Sequence, residues 1–140
     1  NIIPGRVDFT VDIRDCDAAS KDHLRELVQT TFTEIARRRG VELTMALQNN
    51  DKPVTSDPAL VELLRTCCAE RQIPYCDLIS GPFHDSLFVG TFTPIGMLFV
   101  PSRDGLSHCP QEWTDSADLK LGAEVLAAAL ARVANQDALS

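Results

Sequence analysis

The chain has 140 residues, 44% of them hydrophobic, with 13 Lys and Arg against 20 Asp and Glu for a formal net charge of -7. That length and apolar content match one ordinary domain, or pieces of two, with a substantial core, and argue against disorder. The acidic balance excludes a non-specific reader of nucleic acid or anionic membrane, which needs a basic face to displace counterions. No apolar run approaches the ~20 residues that span a bilayer, and the N-terminus lacks the basic start and apolar core of a secretory signal, so a cytoplasmic protein is expected. The five cysteines (Cys16, Cys67, Cys68, Cys76 and Cys109) are odd in number and none has C-x-x-C spacing. They predict reduced, mostly buried thiols rather than a disulfide framework or a zinc knuckle. The chain begins at Asn1 and runs directly into an apolar segment, as a fragment would.

From Arg6 to Arg14 the residues alternate, with Val7, Phe9, Val11 and Ile13 on one face and charged or polar residues on the other, which predicts a half-buried strand. A helix follows, capped by Ser20, with Leu24, Leu27, Val28, Thr31, Phe32 and Ile35 at helical spacing. It ends at Arg37-Arg38-Arg39 and Gly40; the three arginines suit the negative end of the helix dipole. Val41, Leu43, Met45 and Leu47 alternate again as a second strand, so the unit reads strand, helix, strand. The polar stretch from Gln48 to Ser56 is the boundary between structural units. Asp57 and Pro58 supply the N-cap and first residue of a helix to about Arg71, with Leu60, Leu63, Leu64 and Cys67 inward. The apolar run Ile95 to Val100, closed by Pro94 and Pro101, predicts a strand buried on both faces. Asp115 or Ser116 caps a final helix, Ala117 to about Ala134, with a stripe of Leu119, Ala123, Leu126, Leu130 and Val133.

Two polar loops flank the central run, and each carries a histidine: His84 after Gly81-Pro82, and His108 after Asp104-Gly105. Irregular backbone anchored by a packed strand is where catalytic and metal-binding side chains are usually found. Neutral imidazole is a common metal ligand, although an isolated loop histidine is more often a plain surface residue. Glu112, four residues beyond His108, is either a hydrogen-bond partner that orients the imidazole or a solvated carboxylate before the last helix. Asp85 reads as a helix cap ahead of Leu87 and Phe88. Arg14 presents a planar guanidinium suited to a carboxylate, against which stands a surface ion pair with Asp12 or Asp15. His23, in the first turn of a helix, reads as exposed.

Three ordered stretches, N-I-I-P-G-R-V-D-F-T-V-D-I-R, S-G-P-F-H-D-S and F-V-P-S-R-D-G-L-S-H-C-P-Q-E-W-T, resemble motifs of the N-carbamoyl-amino-acid hydrolase, allantoate amidohydrolase and β-ureidopropionase branch of the aminoacylase-like metallopeptidases. The resemblance covers nearly the whole chain but matches only the C-terminal part of such an enzyme. It implies an α/β fold: residues 1–53 as the strand-helix-strand second half of a ferredoxin-like lid that makes a homodimer, and residues 54–140 as the C-terminal segment of the catalytic domain. It further implies that His108 ligates a metal, that Asn1 and Arg14 contact the substrate carboxylate, that Gly81 lies where backbone approaches substrate, and that His84 acts beside the scissile amide.

On that mapping the complete protein holds two divalent metals, zinc or manganese, and cleaves a linear carbamoyl or ureido C–N bond of a carboxylate-bearing small molecule. The bridging carboxylate, the remaining ligands and the general base lie upstream of Asn1, so these 140 residues alone are expected to retain no metal pair and to be inactive. Family members carry glycine-alanine-glycine where this chain has Gly81-Pro82-Phe83, which narrows or fills the pocket. Two alternatives stand beside the hydrolase: a non-catalytic remnant or stand-alone dimerisation and binding module, and a mononuclear hydrolase built from His84, Asp85 and His108.

Overall fold

The computed structural model describes residues 2–135, and Asn1, a predicted carboxylate contact, lies outside them. Four helices follow in chain order: α1 (Ala18–Arg39), α2 (Pro58–Glu70), the single turn α3 (Ser86–Val89) and α4 (Ser116–Asn135), with a 3-10 turn at Arg103–Gly105. The backbone divides into two compact units, Asn1–Val54 with Ile79–Pro82, and Thr55–Leu78 with Phe83–Ser140. No described helix is long and apolar enough to cross a membrane.

In the first unit, α1 starts three residues earlier than a cap at Ser20 would have it. Asp17 is the cap, its carboxylate accepting from the Ser20 N–H at 2.7 Å, while the Ser20 hydroxyl donates to Asp15 at 2.6 Å. The charged carboxylate takes the N-cap, and the serine is used one turn in. The helix ends as its sequence predicts: Gly40 takes the left-handed conformation (φ 65°) and its N–H reaches the Ala36 and Arg37 carbonyls. Phe9 meets Phe32 of α1 edge-to-face, ring centroids 5.8 Å apart, and Lys21 Nζ donates to the Asp51 carbonyl.

The predicted strands are a correction. Among the described residues none of 6–14, 41–47 or 95–100 enters a β ladder, and Val7, Phe9 and Val11, expected to be half-buried, stay exposed. Alternation specifies two faces of an extended chain, but a strand exists only when a neighbour satisfies its backbone N–H and C=O groups. No described segment lies in register to do so.

The second unit is built on α2 and α4. Asp57 caps α2 as its sequence predicts, accepting from the N–H groups of Ala59 (2.8 Å) and Leu60 (3.0 Å) through one oxygen. Its own N–H donates to the Ile95 carbonyl at 2.7 Å, which pins the start of the apolar run to the start of the helix. Cys67, Cys68, Val125 and Ala129 form the buried core, with Leu63, Leu64, Ile73 and Ala128 around them. The inward face of α2 is therefore the predicted one.

The buried face of α4 is not. Leu119, Leu126 and Leu130 of the predicted stripe are exposed, and the helix buries its smaller residues. A Cβ placed on Gly122 would lie 2.5 Å from Val100 Cγ1, and one on Gly96 would lie 3.1 Å from Leu60 Cβ. Glycines at these two contacts let residues 95–100 lie directly on both helices. The thiols are all unpaired, but Cys16 and Cys76 are exposed and Cys109 is half-buried, so only the adjacent pair on α2 fits the expectation of burial.

Candidate functional site

Arg14 and Gly81, 67 positions apart in sequence, are joined: Arg14 Nη1 donates to the Gly81 carbonyl at 3.0 Å. The other edge of the guanidinium is held by Asp12, with Nε donating at 3.0 Å and Nη2 at 2.6 Å to its Oδ2. The ion-pair partner anticipated for Arg14 is thus present, and its hydrogen bonds hold the Asp12 carboxyl below the usual carboxylate range and the Arg14 guanidinium above its own. Both side chains stay more than half exposed, 54% and 65%, so water screens the pair and its contribution to stability is small. A guanidinium has five N–H donors, and three of them are committed here. One remains on Nη1 and one on Nη2.

In the second unit, His84 opens the turn that becomes α3. Its carbonyl accepts from the Leu87 N–H at 2.9 Å, and the Asp85 carbonyl from Phe88 (3.0 Å) and Val89 (3.2 Å). Asp85 makes no side-chain cap bond, so its predicted capping role passes to its backbone. The half-buried His84 ring lies 5.6 Å from the ring of Phe99, tilted by 56°, and the Ser86 hydroxyl donates to Met97 Sδ at 3.0 Å. Both contacts seat the turn on the segment 95–100. Phe83, which replaces a small residue of the resembled motif, packs edge-to-face on Phe88 at 5.4 Å and keeps about half its surface in solvent.

His108 sits in a loop braced at several points. The Arg103 N–H donates to the Trp113 carbonyl at 2.8 Å, closing the loop at its base, and the Arg103 guanidinium lies 5.6 Å from the centre of the Trp113 ring. Trp113 Nε1 donates to Asp115 at 2.9 Å, and the Ser102 hydroxyl to the Leu106 carbonyl at 2.5 Å. His108 itself is exposed and holds a left-handed backbone, φ 57°. The Glu112 carboxylate accepts from the His108 backbone N–H at 2.7 Å. Glu112 therefore bonds the backbone of His108, whereas its spacing had suggested either a partner for the ring or a solvated carboxylate. Of the other positive-φ residues, Gln72 follows the C-cap of α2 and Asp104 belongs to the 3-10 turn. His108 has neither excuse, and such outliers collect at functional sites.

An exposed imidazole on a fixed loop is chemically suited to be one ligand of a divalent metal. A complete cage is another matter. Among the described residues no three His, Cys, Asp or Glu side chains converge to hold a metal ion, so the mononuclear hydrolase of His84, Asp85 and His108 loses its geometric basis.

Comparison with known proteins gives a consistent set of relatives. The family profile described as Peptidase family M20/M25/M40 matches residues 4–132. An N-carbamoyl-L-amino-acid amidohydrolase of Paenarthrobacter aurescens is 40% identical over 126 residues, 90% of this chain and 31% of that protein. A ureidoglycolate hydrolase of Oryza sativa subsp. japonica is 34% identical over 137 residues, 97% of this chain and 28% of its own length. An allantoate amidohydrolase of Escherichia coli (strain K12) is 31% identical over 136 residues, 97% of this chain and 33% of its own. The chain spans about a third of the length of these curated relatives.

Proposed function

The chain belongs to Peptidase family M20/M25/M40, and from that premise we propose that it is the C-terminal portion of a metal-dependent amidohydrolase cleaving a carbamoyl or ureido C–N bond of a small carboxylate-bearing substrate. The observation that carries the reading is the 40% identity, over 90% of the chain, to a protein named as an N-carbamoyl-L-amino-acid amidohydrolase. The motif order supports the C-terminal placement, with residues 1–53 as part of a lid that pairs two subunits and residues 54–140 as part of an α/β catalytic domain.

Each residue has a distinct task in this reading. Arg14 binds the substrate carboxylate, helped by Asn1. His84, held against Phe99, donates a hydrogen bond to the carbonyl oxygen that gains charge as water adds to the carbonyl carbon. His108 offers its imidazole as one ligand of a divalent metal pair, zinc or manganese. When bound, such a pair would supply Lewis acidity. Gly81 fixes Arg14 through its carbonyl, and Phe83 limits the size of the substrate.

The test is turnover by the complete polypeptide that carries these residues, measured as ammonia release from N-carbamoyl amino acids, allantoate and ureidoglycolate with zinc or manganese supplied. At least one substrate is expected to be hydrolysed, and His108→Ala is expected to lower bound metal and reduce kcat by ~10²-fold or more with an unchanged circular dichroism spectrum. No turnover of any of the three, or a His108→Ala enzyme with full metal content and rate, would overturn the assignment.

A further inference from the structure

We propose that Asp12 is a positioning residue for Arg14, setting the guanidinium with two N–H groups toward a substrate carboxylate. The inference rests on the reading of Arg14 as the carboxylate contact. Asp12 takes the Nε and Nη2 donors of one edge, and the Gly81 carbonyl takes a donor of Nη1. What remains is one donor on each terminal nitrogen, enough for a second carboxylate to accept up to two hydrogen bonds.

An arginine that swings freely must give up its rotamer freedom when it grips a ligand, which weakens binding. Arg14 has given it up already, at two anchors from distant parts of the chain. The second anchor is stiff, because Pro82 restricts the backbone of Gly81 and so the direction of its carbonyl. This assigns a use to the proline that departs from the glycine-alanine-glycine pattern. The charge of Asp12 opposes an incoming carboxylate, but both side chains are more than half exposed, where water weakens that repulsion. Preorganisation therefore outweighs it.

The measurement is KM and kcat of the complete enzyme for a carboxylate-bearing substrate and for an analogue whose carboxylate is replaced by a primary amide. Asp12 is exposed on non-helical backbone, so replacing it removes no core packing. Asp12→Ala is expected to raise KM for the carboxylate substrate roughly 3- to 10-fold, with kcat within about twofold and the analogue unaffected, and Asp12→Glu to recover most of the loss. If Asp12→Ala leaves KM unchanged, lowers it, or raises it equally for both compounds, while Arg14→Ala raises it for the carboxylate substrate alone, the positioning role is overturned and the reading of Arg14 stands. If Arg14→Ala affects both compounds alike, the reading itself fails and the inference goes with it.

Discussion

At the level of single residues, His108 holds a backbone conformation that an L-residue adopts at a cost. A left-handed backbone costs an L-residue about 1 kcal/mol relative to glycine, and here the Glu112 carboxylate on the His108 N–H holds it in place. His108→Gly in the complete protein is therefore expected to raise stability by about 1 kcal/mol in urea unfolding, while losing the imidazole. Glu112→Ala should lower it by a similar amount, roughly 1 kcal/mol. Stability moving the other way in both variants would show that the loop is not strained. Part of this residue-level picture was legible beforehand. The Asp12 partner of Arg14 follows from spacing along the chain, whereas the bond of Glu112 to the His108 backbone was not among the roles its spacing suggested. The Gly81 carbonyl was not legible as that guanidinium's acceptor, because no local pattern joins positions 67 apart.

At the level of elements, the helices were readable and the strands were not, for one physical reason. A helix satisfies its own backbone, so Asp57-Pro58 and Gly40 announce their ends from sequence alone. A strand depends on a neighbour that periodicity does not name, and the alternating segments 6–14 and 41–47 have none among the described residues. The buried side of α4 was misread for a related reason. Its leucines form the larger apolar stripe, but the face in contact is the one whose missing side chain at Gly122 admits Val100. Gly122→Ala, which would stabilise an isolated helix by about 1 kcal/mol, is expected here to destabilise the complete protein by roughly 1–3 kcal/mol through overpacking. A thermal melt that rises in Gly122→Ala would show that Val100 yields without cost.

At the level of the whole molecule, the first unit buries Ala36 alone among its described residues and leaves Val7, Phe9, Val11, Leu27, Val41 and Leu47 exposed. An apolar surface of that extent is normally covered by a partner. Among the described residues no three metal-binding side chains come together. Produced alone, the chain is expected to bind no stoichiometric pair of divalent ions and to release no ammonia from carbamoyl substrates; metal analysis finding two tightly held ions would contradict this. The family assignment needed none of these contacts, because the motifs are read in order along the sequence. The adjacent thiols Cys67 and Cys68, sealed between α2 and α4 while Cys16 and Cys76 face water, give experimenters a built-in gauge. Alkylating reagents will mark the outer pair at once and reach the inner pair only when those two helices part, so a mass spectrum taken over time records how often that part of the molecule breathes.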